Sequence, residues 1–145
     1  MTEKLFHVGV KALIQDSQSR LLLALRDTSN HSTPTAPYWD LIGGRIEEGE
    51  TSLDALRREI QEEIGVSYEA EPIFITATIS NHQTKIASGE KVGIAIMVYR
   101  LTLPGGAEIK PATDFTTYEW VDKVDAAERL QHKYPADFIS ALLVS

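Results

Sequence analysis

The stretch GRIEEGETSLDALRREIQEEIGV, Gly44 to Val66, decides how the rest of the chain is read. On a helical wheel at about 100° per residue, Leu53, Leu56, Ile60 and Ile64 fall on one stripe, the mark of a helix with one face turned to a core. Thr51 followed three residues later by Asp54 makes an N-cap, and Gly65 supplies the stop. Glu59, Glu62 and Glu63 share a second arc, because neighbours three and four apart lie on one helix face. Ala55 falls on that arc too, and its small side chain leaves room for something to approach.

Charge runs on helices are usually solvated surface, held by bases four residues from each acid. Among the three glutamates of that arc only Glu62 has a base so placed, Arg58, and in the less favourable basic-first order. Glu62 and Glu63 also sit in the last turn, where the helix dipole disfavours acids by about 0.3–1 kcal/mol each. Removing the Glu63 charge is therefore expected to stabilise the metal-free helix by about 1 kcal/mol. Two local rules broken together point to a functional site, and a hard divalent cation with oxygen ligands turns both costs into affinity.

The 145 residues bound the setting: one ordinary domain, 1–145, with a sizeable core. The formal charge is −7, and the 23 residues from Gly44 to Val66 carry seven acids against three bases. With no Lys/Arg cluster, long nucleic acid is a poor partner, since such binding rests on bases replacing counterions. A small anionic substrate fits if a cation supplies the missing charge. Zero cysteines exclude disulfides, thiolate metal sites and a thiol nucleophile. The Met1-Thr-Glu-Lys start lacks a signal-peptide pattern and no apolar run nears membrane-spanning length, so a cytoplasmic protein with no membrane partner is expected.

Outward from the helix, Phe6 to Ile14 alternates as a half-buried strand, Asp16-Ser-Gln-Ser reads as a turn, and Arg20 to Arg26 is a buried strand, together a hairpin. Asp27 to Pro37 is a loop. Tyr38 to Ile42 is a short strand stopping at Gly43-Gly44. Ile73 to Ser80 is β-rich, Asn81 to Glu90 a polar connector, and Val92 to Leu103 a long strand. Tyr118 to Val121 is a further strand, and Asp125 caps a terminal helix that Pro135 interrupts before Ala136 to Leu143. The loop 27–37 and the connector 81–90 are expected to frame a pocket and set substrate choice. Such a pattern implies a mixed sheet packed between helices in an α/β or α+β domain.

Gly44, five residues, Glu50, seven residues, then Arg58-Glu59-Ile60-Gln61-Glu62-Glu63-Ile64-Gly65-Val66 resembles the full signature of the Nudix hydrolases at every fixed position. Tyr38-Trp39-Asp40-Leu41-Ile42-Gly43-Gly44 and Tyr118-Glu119-Trp120-Val121 resemble flanking strands of that family. Ile42 departs from it, standing where proline is common. The resemblance implies an α/β/α sandwich around a mixed sheet. It also implies hydrolysis of nucleoside diphosphates linked to another group, by water attack at phosphorus with Mg²⁺, or Mn²⁺ in its place.

By the same resemblance Glu59, Glu62 and Glu63 form the metal cage, with the backbone carbonyl of Gly43 in its inner shell; spacing leaves open which glutamate is a direct ligand and which polarises the water. Arg58 and Glu50 resemble the pair tying loop to helix, and Gly43 and Gly44 let the backbone approach phosphate. A further acid comes from Asp114 or Glu119. Arg26 is a phosphate contact or a strand-end surface residue. Tyr38 and Trp39 stack on a base or fill the core. The histidines, His7, His31, His82 and His132, are scattered without metal-ligand spacing, with His82 on a possible pocket rim.

Isopentenyl diphosphate isomerase, a relative that relies on cysteine, is excluded. Neither the proline nor the tyrosine that marks ADP-ribose or dinucleoside polyphosphate enzymes occurs in residues 76–85. Cleavage of a nucleoside triphosphate to a monophosphate and pyrophosphate is the default reading, with an ADP-ribose or nucleotide-sugar pyrophosphatase, or a non-catalytic nucleotide-binding regulator, as alternatives.

Overall fold

The computed structural model describes residues 3–27, 36–104, 107–110 and 115–145. Most of the expected loop 27–37, with His31, and also Asp114 lie outside the described residues. The elements run β1 Phe6–Ile14, β2 Leu21–Arg26, β3 Tyr38–Asp40, β4 Ile42–Arg45, α1 Ser52–Ile64, β5 Ile73–Lys85, β6 Lys91–Leu101, β7 Phe115–Val121, α2 Lys123–Leu130 and α3 Ala136–Val144. No described helix is long and apolar enough to cross a membrane.

Two sheets form, in the orders β4-β1-β6-β5 and β3-β2-β7. The first is mixed, with β1 parallel to β6 but antiparallel to β4, and β5 antiparallel to β6; the second is antiparallel throughout. Burial on both faces explains why β2 reads as a continuous apolar run rather than an alternation. Leu22 and Ala24 join Val10, Ala12 and Ile14 against α1, whereas Leu21 and Leu23 join Leu13 and Leu41 against α2 and α3. The architecture is therefore the expected mixed sheet packed between helices.

Several boundaries differ from the sequence reading. β1 and β2 share only the bridge Gln15–Leu21 and then part into different sheets, so the expected hairpin is a corner. The turn is held by Asp16, whose Oδ1 accepts the N–H groups of Gln18 and Arg20. The strand expected over 38–42 is two: β3 ends at Asp40, Leu41 crosses over, and β4 continues through the double glycine to Arg45, where pairing to β1 sustains it. Residues 81–85 are not connector but the end of β5, because β6 pairs with them through Gln83, Thr84 and Lys85. In α2 the cap is Asp122, which accepts from the Asp125 N–H; Asp125 lies in the first turn.

The ends of α1 match the sequence, with Thr51 accepting from Asp54 N–H and Gly65 left-handed at φ 68°. Its buried face does not. Leu56, Ile60 and Ile64 are buried, but Leu53, in the first turn, is 40% exposed, and Ala55 is packed into the core rather than open to a ligand. Leu56→Ala should therefore cost about 2–5 kcal/mol, as a buried truncation that leaves a cavity, and Leu53→Ala no more than about 0.5 kcal/mol. Urea unfolding of the two variants beside the parent checks the contrast.

Candidate active site

Two carboxylates of α1 reach the double glycine on β4. Glu63 is buried, and its Oε2 accepts the Gly43 N–H at 2.8 Å. The Glu59 carboxylate lies on Gly44 so closely that a Cβ there would stand 2.6 Å from it. Any side chain at 44 would thus displace the acid. Gly43, at φ 141°, has no room either: a Cβ would meet the Val10 carbonyl at 2.1 Å. Burial and the nearby Glu63 charge raise the Glu59 carboxyl above its usual range, against the pull of Arg58. Like charges held together in a partly dry site favour a cation.

Arg58 holds the other side of Glu59. Its Nη1 donates to Glu59 at 2.9 Å and to Glu62 at 3.2 Å, while Nε and Nη2 clasp Glu50 at 2.7 and 2.9 Å. Nη2 also donates to the Arg45 carbonyl, joining helix to β4. The bonds from Arg58 and from the Glu47 N–H bring Glu50 down to about 2.

Beneath the glycines lies a charged cluster. Asp40 has no exposed surface, and its Oδ2 accepts Lys11 Nζ at 3.0 Å, Arg26 Nε at 3.2 Å and Lys133 Nζ at 2.7 Å. Its Oδ1 accepts Tyr134 OH and the Leu41 N–H, both at 2.7 Å. Burial alone would raise this carboxyl, yet Lys11, Lys133 and Arg26 hold it well below the usual carboxylate range. Arg26 Nη2 also donates to Glu63 Oε1 at 3.1 Å, and with Lys11 it holds the Gly43 carbonyl, at 3.0 and 2.9 Å. Burial and Arg26 bring the Lys11 ammonium down to about 7, although Asp40 opposes them.

These groups open onto a cleft of about 800 Å³, large enough for a nucleotide-sized ligand. Glu59, Glu63 and the two glycines line it together with Lys11, Arg26 and Lys133. A groove of about 1400 Å³ adjoins it between residues 3–6 and the β5–β6 hairpin, and neither Glu59 nor Glu63 lines that groove.

A family profile for the NUDIX domain matches residues 5–142. The chain belongs to the Nudix hydrolase family. The nucleoside triphosphatase NudI of Escherichia coli O139:H28 is 36% identical over 116 residues, covering 78% of this chain and 79% of that protein. The dihydroneopterin triphosphate diphosphatase of Escherichia coli K12 is 28% identical over 138 residues, covering 88% and 87%. Among solved structures, the MutT protein of Methanosarcina mazei Go1 superposes with a TM-score of 0.69 at 24% identity, covering 98% of this chain and 94% of that one, a likeness of fold. Nudix hydrolases generally use divalent metals.

In this Nudix hydrolase the residues read from the sequence divide into three groups. Glu59, Glu63, Gly43, Gly44, Arg26, Tyr38 and His82 meet in the cleft. Arg58 and Glu50 stand behind it as a bidentate pair. Three others do not line it. Glu62 points to Arg58 with its side chain 58% exposed. Trp39 alternates away from Tyr38 and packs on the α2–α3 side under the Arg129 guanidinium. Glu119 is bound to that same arginine, at 2.7 Å.

Among the described residues no group of three acidic or histidine side chains is gathered around one point; of the three glutamates, Glu59 and Glu63 meet in the cleft beside Gly43, and Glu62 accepts from Arg58 outside it. Glu59, Glu63 and the Gly43 carbonyl offer a hard divalent cation an all-oxygen donor set, two of them carboxylates, with Glu59 raised by burial and by the Glu63 charge. Lys11, His132 and Lys133 also line the cleft. A lone lysine in an alternating strand, and a His-Lys pair ninety residues away in sequence from the double glycine, gave no signal of this.

The contacts of Glu63 reverse one expectation. Arg26 and the Gly43 N–H offset its cost at the helix end, so Glu63→Gln should destabilise the chelated protein, by about 1–3 kcal/mol, because an amide cannot accept both bonds. Denaturant unfolding in chelator reads the sign. Asp40→Asn should cost about 3–5 kcal/mol at neutral pH, the penalty for leaving buried cations without their counter-charge. In the folded state Asp40 stays ionised below its ordinary value of 3.8, whereas the unfolded chain takes up the proton there. The stability it supplies is therefore complete above that pH and is lost as pH falls through the folded value. Below about pH 4 the parent should lose stability more steeply than the variant, by up to about 1.4 kcal/mol per pH unit, measured by urea unfolding from pH 6 to 2.

Proposed function

We propose that this enzyme hydrolyses a nucleoside triphosphate, or a close triphosphate derivative, at a pyrophosphate linkage with Mg²⁺, or Mn²⁺ in its place. The observation that carries the reading is the cleft in which Glu59 and Glu63, seated on Gly43 and Gly44, face the same space as Lys11, Arg26 and Lys133. The first pair suits a divalent cation; the second group suits the anionic oxygens of a polyphosphate. The two curated relatives described above bear names of triphosphate substrates, which supports that class.

When bound, the cation neutralises the pyrophosphate and assists water in attacking phosphorus. Glu59, Glu63 and the Gly43 carbonyl would hold it. Arg58 fixes Glu59 in place from behind, and Arg26 fixes Glu63 while presenting its guanidinium to the cleft. The absence of a Cβ at Gly44 keeps Glu59 against the strand. Water forms the new P–O bond and releases its proton to solvent, the bridging P–O bond breaks with its electron pair on the leaving oxygen, and the departing pyrophosphate oxygens are met by lysine and arginine.

A panel of nucleoside triphosphates, nucleotide sugars and ADP-ribose, assayed for phosphate and pyrophosphate release, tests the reading. Turnover is expected for triphosphates, abolished by chelator and restored by Mg²⁺ or Mn²⁺. Glu59→Gln should lower kcat by at least about a hundredfold, consistent with loss of a charge that acts in the transition state. Full turnover in excess chelator, or nucleotide binding without turnover in saturating metal, counts against it.

A further inference from the structure

β5 and β6 lose register at one place. Ile79 pairs with Ala95 and Gln83 with Gly93, so three residues of β5, Ser80 to His82, stand against the single residue Ile94. A bulge re-aims side chains at a strand's end, and this one is fastened to the chain between α2 and α3. The Asn81 N–H and Ser80 Oγ both donate to the Lys133 carbonyl, at 2.7 and 3.1 Å, and Asn81 Nδ2 donates to the Gln131 carbonyl at 3.3 Å. Ser80 Oγ in turn accepts the His82 N–H at 3.0 Å.

The clamp brings together two histidines fifty residues apart. His82 Nε2 and His132 Nδ1 stand 2.9 Å apart, sharing one hydrogen bond. Tyr38 completes the group, its ring stacked on His132 at 5.6 Å and 23° and edge-on to His82 at 5.0 Å and 87°. All three side chains line the cleft that holds Glu59 and Glu63. Burial, with the charges of Lys133 and His132, lowers the His82 pKa and favours its neutral ring. Elsewhere the described cleft wall is charged, polar or aliphatic, with no further aromatic ring, so this patch is where a flat ring finds π-faces and ring nitrogens together.

We infer that Tyr38, His82 and His132 form the subsite for the heteroaromatic ring of the substrate, with the Ser80–His82 bulge setting their positions. The inference rests on the proposed hydrolysis of a nucleotide and adds what distinguishes one nucleotide from another. The ring stacks on the aromatic patch while its phosphates lie toward the carboxylates and cations.

The test compares a nucleoside triphosphate with ribose 5-triphosphate, which has the phosphates and no ring. In His132→Ala the preference in kcat/KM for the nucleotide over the ringless compound should fall about tenfold, the scale of one lost base–aromatic stack, mostly through KM. His82→Ala should act in the same direction, and His132→Phe, which keeps a ring, should restore most of the preference. An unchanged preference in both alanine variants overturns the assignment, as does an equal loss for both substrates, which marks a structural role only. The imidazole NMR signals of His82 and His132 supply a readout independent of turnover. Adenosine or deoxyguanosine should shift them and leave His7 in place, whereas inorganic tripolyphosphate should not. If the parent hydrolyses nothing on the panel, the hydrolase reading fails while these signals still decide the subsite; nucleosides that leave them unmoved overturn it.

Discussion

A carboxylate with no exposed surface needs partners, and Asp40 has five: two lysines, an arginine, a tyrosine hydroxyl and its neighbour's amide. They arrive from β1, β2 and the chain leading into α3, so one oxygen pair joins three separate parts of the sequence. Desolvating an ion this completely is costly, and attraction repays it only when the hydrogen bonds are complete. Here they are, and the arrangement fixes three cations at the floor of the cleft.

The catalytic geometry inherits that constraint. Arg26 bridges Asp40 and Glu63, and Lys11 bridges Asp40 and the Gly43 carbonyl, so the acid and the backbone oxygen suited to a metal are positioned from below. Arg58 positions Glu59 from above through Glu50 and β4. The acidic helix thus carries the oxygens; Arg26, from β2, decides where those of Glu63 point, and Arg58, from the helix itself and held by Glu50 and the Arg45 carbonyl, where those of Glu59 point.

This division explains what was legible in the sequence. Spacing within a helix is local, so the ends of α1, the shared face of Glu59 and Glu63, and the family itself could be read from residues 44–66. β2, buried on both faces, was legible as an apolar run, although its parting from β1 into another sheet was not. The assignments that moved have different causes: Glu62 pairs with Arg58 one turn back along the helix, Trp39 is turned to the far side by strand alternation, and residues 81–85 are kept in β5 by pairing with β6. Lys11, Lys133 and His132 have unremarkable neighbours in sequence. Their roles come from contacts 29 to 93 residues apart, which no periodicity encodes.

The crossing at Leu41 links the margins of the two sheets. β3 and β4 are each the outermost strand of a sheet, the position where open backbone groups invite another chain to add on. In this fold the two margins are successive lengths of one segment, bolted at Asp40 between them and weighted at Gly43 by Glu63. Neither margin peels away without dragging the other and breaking the buried ion cluster. A nest of charge at the floor of the cleft therefore also ties the borders of the two sheets to each other.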